Sequence, residues 1–523
     1  MKKYFPFLDW MLNYKKADLS GDLTAGLTVG VMLIPQGMAY SMLAGLPPIY
    51  GLYASTIPLI IYALFGTSRQ LAVGPVAMVA LLISSGVGGL AELGSAEFIS
   101  LAILLALMVG IIQFSMGVFR LGFVVNFLSH PVIAGFTSAA ALIIGFSQLK
   151  HLLGISIPRG KVRETLMNVA QSLDQINMPT LMIGVLAIVI LLAIKKINRR
   201  IPGPLVVVVL GIAAVLGFNL AEEGVKIVRD VPSGLPVFDI PEWDMVSLKA
   251  LLPTALTISF VGFMESIAVA KAIQSKHKNY EIVSNQELIG LGLANIFGAF
   301  FKAFPTTGGF SRTAVNDQAG AKTGLASIIS AVLIVITLLF LTPYFYYLPN
   351  AVLAAIIMVA VFGLIDFKEA KHLWQIDKRD FVLFMVTAVG TLILGIEEGI
   401  LLGAALSILV VIYQVSNPHI AELGKVPGTE QFRNVNRFDN LLQDDEILIV
   451  RFDAQLYFAN LDYFKEHLQQ MEAKKPQLKY VILDAKAISS LDSSAVHVLH
   501  DLIENYESRD IKLYIANAIG PVR

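Results

Sequence analysis

The sequence predicts a polytopic α-helical membrane protein built as a seven-plus-seven transmembrane inverted repeat, followed by a small α/β domain. Three observations predict it. Of 523 residues, 56% are hydrophobic and 15% charged, with a mean hydropathy of +0.70, a balance foreign to soluble globular chains. Apolar segments near the length that crosses a bilayer recur as far as residue 417. Two of these segments, AVGPVAM at 72–78 and PTTGGFSRTAV at 305–315, are short and follow Gly/Pro breaks at matching places in the two halves. Paired interruptions of that kind point to a transporter site between inverted halves.

The start, residues 1–19, is not a cleavable signal. Its Lys2, Lys3, Lys15 and Lys16, with Phe5, Phe7, Leu8, Trp10 and Met11, predict an interfacial helix. The transport domain is expected over 20–417. Its first repeat (20–219) holds spans at 23–43, 49–65, 75–88, 98–118, 131–149, 178–194 and 204–218. The second (248–417) holds spans at 248–270, 288–301, 311–319, 324–341, 350–365, 381–394 and 400–413. An odd number of spans per half makes the halves run in opposite senses.

Basic loops set the orientation. Lys195, Lys196, Arg199 and Arg200, then Lys271, Lys276 and Lys278, then Lys368, Lys371, Lys378 and Arg379 all fall on the N-terminal side, which is therefore expected to be cytoplasmic. The loop with Glu222, Glu223, Asp230, Asp239, Glu242 and Asp244 falls on the other side. Arg159, Lys161 and Arg163, after the fifth span, break the rule. An even span count returns the C-terminus to the cytoplasm, in the inner (plasma) membrane of the cell.

Beyond a linker at 418–435, strands at 446–453, 480–484 and 511–516 alternate with helices at 461–471 and 493–506. That alternation predicts a soluble α/β domain over 436–523. The chain stops at Arg523, where one more helix is expected to cover the sheet, so the domain is expected to be truncated.

Composition also excludes function classes. Zero net charge gives no ground for nucleic-acid binding, and the absence of cysteine removes disulfides, thiol catalysis and cysteine-ligated metals. No phosphate loop, metal cluster or nucleophile–base pair supports an enzyme. The chemistry concentrates instead in FPTTGGFSRTAVN at 304–316. Pro305, Gly308 and Gly309 break the backbone before a run that can be helical, and Arg312 sits in its first turn. Broken backbone at membrane depth must line a cavity, and a helix start there offers unpaired N–H groups and a positive dipole end. One guanidinium added to these makes an anion site. Glu265 is the single carboxylate well inside the eighth span and needs a proton, a cation or a neighbour. It is the candidate coupling group, with a static Glu265–Arg312 ion pair as the alternative. Hydroxyls at Thr306, Thr307 and Ser311 could serve sodium. Glu397 and Glu398, between the last two spans, read as interfacial and solvated, and His130 as structural.

Four stretches carry a resemblance: PQGMAYSMLAGLPPIYGLY at 35–53, GTSRQLAVGPVAM at 66–78, GFSRTAVNDQAGAKTGLA at 309–326 and LDSSAVHVL at 491–499. In that order, over nearly the whole chain, they resemble the SulP sulfate-permease family, whose animal members include prestin and pendrin and whose transporters carry a C-terminal STAS domain. The resemblance implies a core domain of spans 1–4 and 8–11 and a gate domain of spans 5–7 and 12–14. It further implies an elevator-like cycle and a homodimer. It places Gln36, Tyr40, Val76, Phe310, Ser311 and Arg312 around a small inorganic anion. Val269, one turn after Glu265, stands where sodium-coupled relatives place a hydroxyl, which favours protons over sodium. Ser493 and Ser494 become candidate regulatory residues, with a plain helix cap by Asp492 or Ser493 as the alternative. The expected function is secondary transport of sulfate, with no cofactor beyond a coupling ion. Sodium-coupled bicarbonate transport, chloride exchange and dicarboxylate transport stay open, as does a membrane-tethered sensor whose output is the STAS domain.

Overall fold

The computed structural model describes residues 5–123, 129–157, 162–197, 201–277 and 280–523. Lys2, Lys3, Arg159, Lys161, Arg199, Arg200 and Lys278 lie outside the described residues, as does the side chain of Glu397. The chain divides into two compact units, Met1–Ala405 and Leu406–Arg523.

The first unit begins with the expected short helix α1 (Phe7–Leu12). Helix α2 (Lys16–Ala44) is long and ends on Gly45, left-handed at φ 91°. The sequence predicts one span next, but the structure breaks it into α3 (Pro48–Tyr53) and α4 (Ile57–Phe65). Pro58 has no N–H to continue the ladder. The Ser55 and Thr56 hydroxyls, each at 2.7 Å, donate to the carbonyls of Gly51 and Tyr53 around the break. Strand β1 (Val73–Gly74) leads into α5 (Ala77–Gly88), then α6 (Ala96–Val118), α7 (His130–Leu153), α8 (Val162–Gln171), α9 (Met178–Ile197) and α10 (Gly203–Phe218).

The second half repeats the plan with α11 (Met245–Gln274), α12 (Ser284–Phe300), β2 (Thr307–Gly308), α13 (Phe310–Gln318) and α14 (Leu325–Ile336). It continues through α15 (Asn350–Phe362), α16 (Phe367–Ile376), α17 (Lys378–Ile393) and α18 (Ile396–Ser416). Helices α8 and α16 stand where the sequence predicts loops. Both are amphipathic, and α16 is capped by Asp366, which accepts the Glu369 N–H at 2.9 Å. A stretch with Lys368 and Lys371 on one face reads as a basic loop when hydropathy alone is followed. Among the described residues, nine helical stretches are long and apolar enough to cross a membrane.

Helices α2, α5, α6 and α11 to α14 form one bundle, with α6 along α12 and α2 along α14. A second bundle has α7 packed on α15 and α17, and α9 on α10 and α15. These are the core and the gate that the resemblance implies. Contacts in the core are close: a Cβ on Gly51 would stand 1.9 Å from the carbonyl oxygen of Gly37, so glycine alone fits there. Two buried carboxylates tie the halves together. Asp22 accepts the N–H groups of Lys322 (2.7 Å) and Thr323 (3.0 Å) and the Thr323 hydroxyl (2.6 Å). Glu287 accepts from the Tyr62 hydroxyl (2.5 Å), the Thr67 N–H and hydroxyl (2.6 Å each) and the Ser68 N–H (3.2 Å). Buried carboxylates are tolerated when several donors replace their water.

In the second unit, residues 418–435 are not a bare linker. They carry β3 (Ile420–Lys425) and β4 (Phe432–Asn434), which pair with each other. Ala421 and Leu423 are buried on either side of Glu422, a short alternation easily lost beside Pro427 and Gly428. Strand β5 (Ile447–Phe452), helix α19 (Leu461–Glu472), β6 (Tyr480–Asp484), helix α20 (Ser493–Ser508) and β7 (Lys512–Ala516) follow. The sheet order is β4-β3-β5-β6-β7, with β5, β6 and β7 parallel and β3 antiparallel to β5. Leu448, Val450, Phe452, Phe464, Val481 and Leu483 fill its core.

Candidate functional site: an anion pocket between two half-helices

The site begins with two strands of two residues. β1 and β2 pair antiparallel, Val73 opposite Gly308 and Gly74 opposite Thr307. Each is followed within a few residues by a helix that leads away, so the N-termini of α5 and α13 are brought face to face. The first intrahelical bonds run from Ala80 N–H to Val76 and from Thr313 N–H to Gly309, both at 3.0 Å. The N–H groups before them stand outside the ladder, and no side chain caps either helix.

Arg312 lies across this junction, 2% exposed. Its Nη1 donates to the Pro75 carbonyl at 2.6 Å, which joins α13 to the entry of α5. Its Nε and Nη2 are buried and have no hydrogen-bond partner. The guanidinium folds back over its own helix start, where a Cβ on Gly309 would fall 2.8 Å from Nη2. Glycine at 309 is thus required for the arginine to lie there.

Val76 is the N-cap of α5, extended and buried. Gln36 and Tyr40 are buried one turn apart on α2, and the Gln36 Oε1 also lacks a partner. Phe310, 48% exposed, and Ser311, exposed, open α13 and form its accessible side. Tyr40 and Glu265 lie near enough to Arg312 to couple with it electrostatically. Glu265 is partly buried on α11 and makes no ion pair with Arg312, whose one side-chain bond goes to Pro75. The static pair held open above is therefore absent. Val269 is buried.

The frame around the junction is polar. The Thr307 hydroxyl donates to the Gly262 carbonyl (2.6 Å), and the Ser266 oxygen accepts the Gly308 N–H (2.8 Å). Asn295 accepts the Thr306 N–H (2.7 Å) and donates to the Thr306 carbonyl (3.1 Å) and to Gln113 Oε1 (3.2 Å). Thr313 Oγ1 accepts the Ala72 N–H at 3.0 Å. Thr306 and Thr307 are thus occupied in holding the extended segment, which leaves Ser311 as the freer hydroxyl. Ser266, Asn295, Gln113 and Thr313 go unnamed in the sequence reading. Their signal is a polar residue inside an apolar span, but the partner is far away in the chain.

Other residues singled out above lie elsewhere. His130 is mostly exposed, with Nδ1 3.4 Å from Glu369 Oε1, and Glu398 is exposed. Ser493 and Ser494 open α20, with Ser493 exposed. Asp492 caps that helix: it accepts the N–H of Ala495 (2.8 Å) and, from outside the helix, that of Phe458 (2.9 Å). These donations hold its carboxyl below the ordinary aspartate range. Among the described residues, no group of three His, Cys, Asp or Glu gathers as a metal site.

The model of the sulfate permease family matches residues 19–387, and that of the STAS domain matches 440–523. The chain belongs to the sulfate permease family. It is 44% identical to Sulfate transporter 4.1, chloroplastic, of Arabidopsis thaliana, over 98% of this chain and 77% of the relative. Probable sulfate transporter 4.2 of the same plant is 45% identical over 98% of this chain and 78% of its own length. The murine Solute Carrier 26 family member A9 anion transporter, in its inward-facing state, superposes with a TM-score of 0.91. That match is 30% identical and covers 98% of this chain and 88% of the mouse chain. The family is one of transporters rather than enzymes.

Proposed function

We propose that the chain is a secondary transporter of sulfate, taken up at the junction of α5 and α13. The observation that carries this reading is Arg312: a buried guanidinium with two unpartnered N–H-bearing nitrogens between two uncapped helix starts. An oxyanion supplies the missing acceptors. Charge favours a divalent one. Arg312 contributes one positive charge and each helix N-terminus about half of one, roughly +2 in all. Ionised Glu265 would lower that to about +1, and a proton on it would restore it. Sulfate and a proton therefore favour each other's binding, which supports proton-coupled symport through Glu265. The names of the plant relatives agree with sulfate.

Gln36 and Tyr40 face the anion from α2, and Val76, Phe310 and Ser311 from the two helix starts. The core moves against the gate in an elevator-like cycle, within a homodimer. Basic loops favour cytoplasmic termini and the cell's inner membrane. Uptake by the full chain in proteoliposomes tests the reading, with sulfate, bicarbonate, chloride and fumarate each offered with and without proton and sodium gradients. Saturable sulfate uptake driven by an inward proton gradient is expected. Saturable uptake of another of these anions without sulfate would overturn the substrate, and a response to sodium alone would overturn the coupling.

A further inference from the structure

A cavity of about 480 Å³ lies at the far end of α2 from Lys16, between the ends of α2, α5 and α7 and the start of α15. Ser84 and Ser85 line it from α5, Ser147, Lys150 and His151 from α7, and Asn350 from α15. No Asp or Glu is among its described lining residues. Lys150 and His151 each already have an interaction partner. One end of the Asn350 amide, its Oδ1, is buried without a partner. Oxygen and nitrogen of such an amide can exchange places, so the unmet end can be a donor.

The cavity adjoins the central site. Leu43, in its wall, is three residues past Tyr40 on α2, and Leu81 is five past Val76 on α5. At 1.5 Å per residue these are steps of about 4–8 Å. The cavity also accounts for a sequence feature left unexplained. Arg163, part of the basic cluster that breaks the loop-charge rule, is exposed in the first turn of α8, and Thr165 of that helix lines the cavity. Arg163 is unfavourable there for orientation and favourable for drawing in anions, with exposed Glu164 beside it opposing the pull.

We propose that this cavity is a second anion site, which captures an inorganic oxyanion on the face opposite Lys16 and passes it to the Arg312 site. Lys150 supplies the attraction, and the His151 ring, the serine hydroxyls and the Asn350 amide supply hydrogen bonds. The proposal rests on the transport reading above, but its test does not use transport. The chain has no cysteine, so Ser85→Cys gives it a single thiol. Its labelling is timed with an anionic and a cationic methanethiosulfonate of similar size, with and without sulfate. The anionic reagent is expected to react about 10-fold faster or more, the usual scale of electrostatic focusing in a charged cleft. Sulfate is expected to slow labelling, and to do so equally in an Arg312→Ala background. Adding Lys150→Gln and His151→Gln is expected to abolish both the preference and the protection. Equal rates for the two reagents would overturn the proposal. So would a preference that survives the double change, or protection that disappears with Arg312→Ala. Should Ser85→Cys fail to fold, Ser147→Cys reports from the facing wall. Failure of the central reading would show differently, as unchanged sulfate transport in Arg312→Ala.

Discussion

Replacing Arg312 with alanine separates its role in binding from its role in the fold. The guanidinium makes one bond to the protein, Nη1 to the Pro75 carbonyl at 2.6 Å, and leaves Nε and Nη2 buried and unpaired. An unmet buried donor costs about 1–3 kcal/mol. Removing two of them offsets the loss of the Pro75 bond, so the anion-free variant should melt at or above the wild-type temperature. A bound anion gains charge-assisted bonds from the same two nitrogens. Losing one such bond costs about 1.5–3 kcal/mol, which is roughly a 10- to 150-fold rise in Kd. Thermal shift magnifies the difference. Sulfate at 100 times the wild-type Kd stabilises wild type by about 2.7 kcal/mol, but a variant bound 100-fold more weakly by only about 0.4 kcal/mol. Arg312→Lys keeps the charge without the planar fork and should fall between the two. The assays are titration calorimetry with sulfate and melting curves at several sulfate concentrations. An alanine variant that melts cooperatively and binds sulfate with the wild-type Kd would refute the site. A variant whose anion-free melting temperature collapses would show that the guanidinium is chiefly a strut between α13 and α5.

Glu265→Gln keeps the shape and cannot ionise. It should bind sulfate but lose acceleration by an inward proton gradient, and normal acceleration in proteoliposomes would clear Glu265 of that role. Glu287→Ala leaves the donors of Tyr62, Thr67 and Ser68 unmet in the core, and should cost about 3 kcal/mol or more, read as a lower melting temperature. An unchanged melting curve would mean that this tie is not needed. Removing everything after Asn417 should leave sulfate affinity near wild type, because each site residue lies in the first unit. A cut after Lys425 would instead leave β3 without its partners β4 and β5. A well-reconstituted truncation without saturable binding would show that the STAS domain takes part in the site.

What could be read in the sequence was what depends on neighbours along the chain. Apolar runs announced the spans, and Pro75 and the glycines at 308 and 309 announced the half-helices, because both signals are local. The STAS core followed from strand and helix periods. The break at Ser55 and Thr56 and the amphipathic α16 were hidden, since mean hydropathy averages over a kink and mistakes a polar face for a loop. The frame around the candidate anion pocket was hidden for another reason. Asn295 looks the same whether it lines a path or clamps a strand, and only the bonds to Thr306 and Gln113 decide. Asp22 and Glu287 were silent likewise: Glu287 takes its donors, and Asp22 all but the nearby Tyr14 hydroxyl, from residues more than two hundred positions away.

The bond between Arg312 and Pro75 spans 237 residues. A ribosome adding about 5–20 residues per second needs roughly 10–50 s to cover that interval. Throughout it, the start of α5 has been synthesised while its counterpart has not, and its free N–H groups face lipid, translocon or water instead of β2 and Arg312. The proposed anion pocket therefore cannot form until α13 has been made, with α14 to α18 still to follow. Premature termination or proteolysis in that window leaves fragments that hold the start of α5 without β2 and Arg312. Slower elongation lengthens the exposed interval, which makes the pocket's assembly sensitive to translation speed and to whatever shields α5 at the translocon.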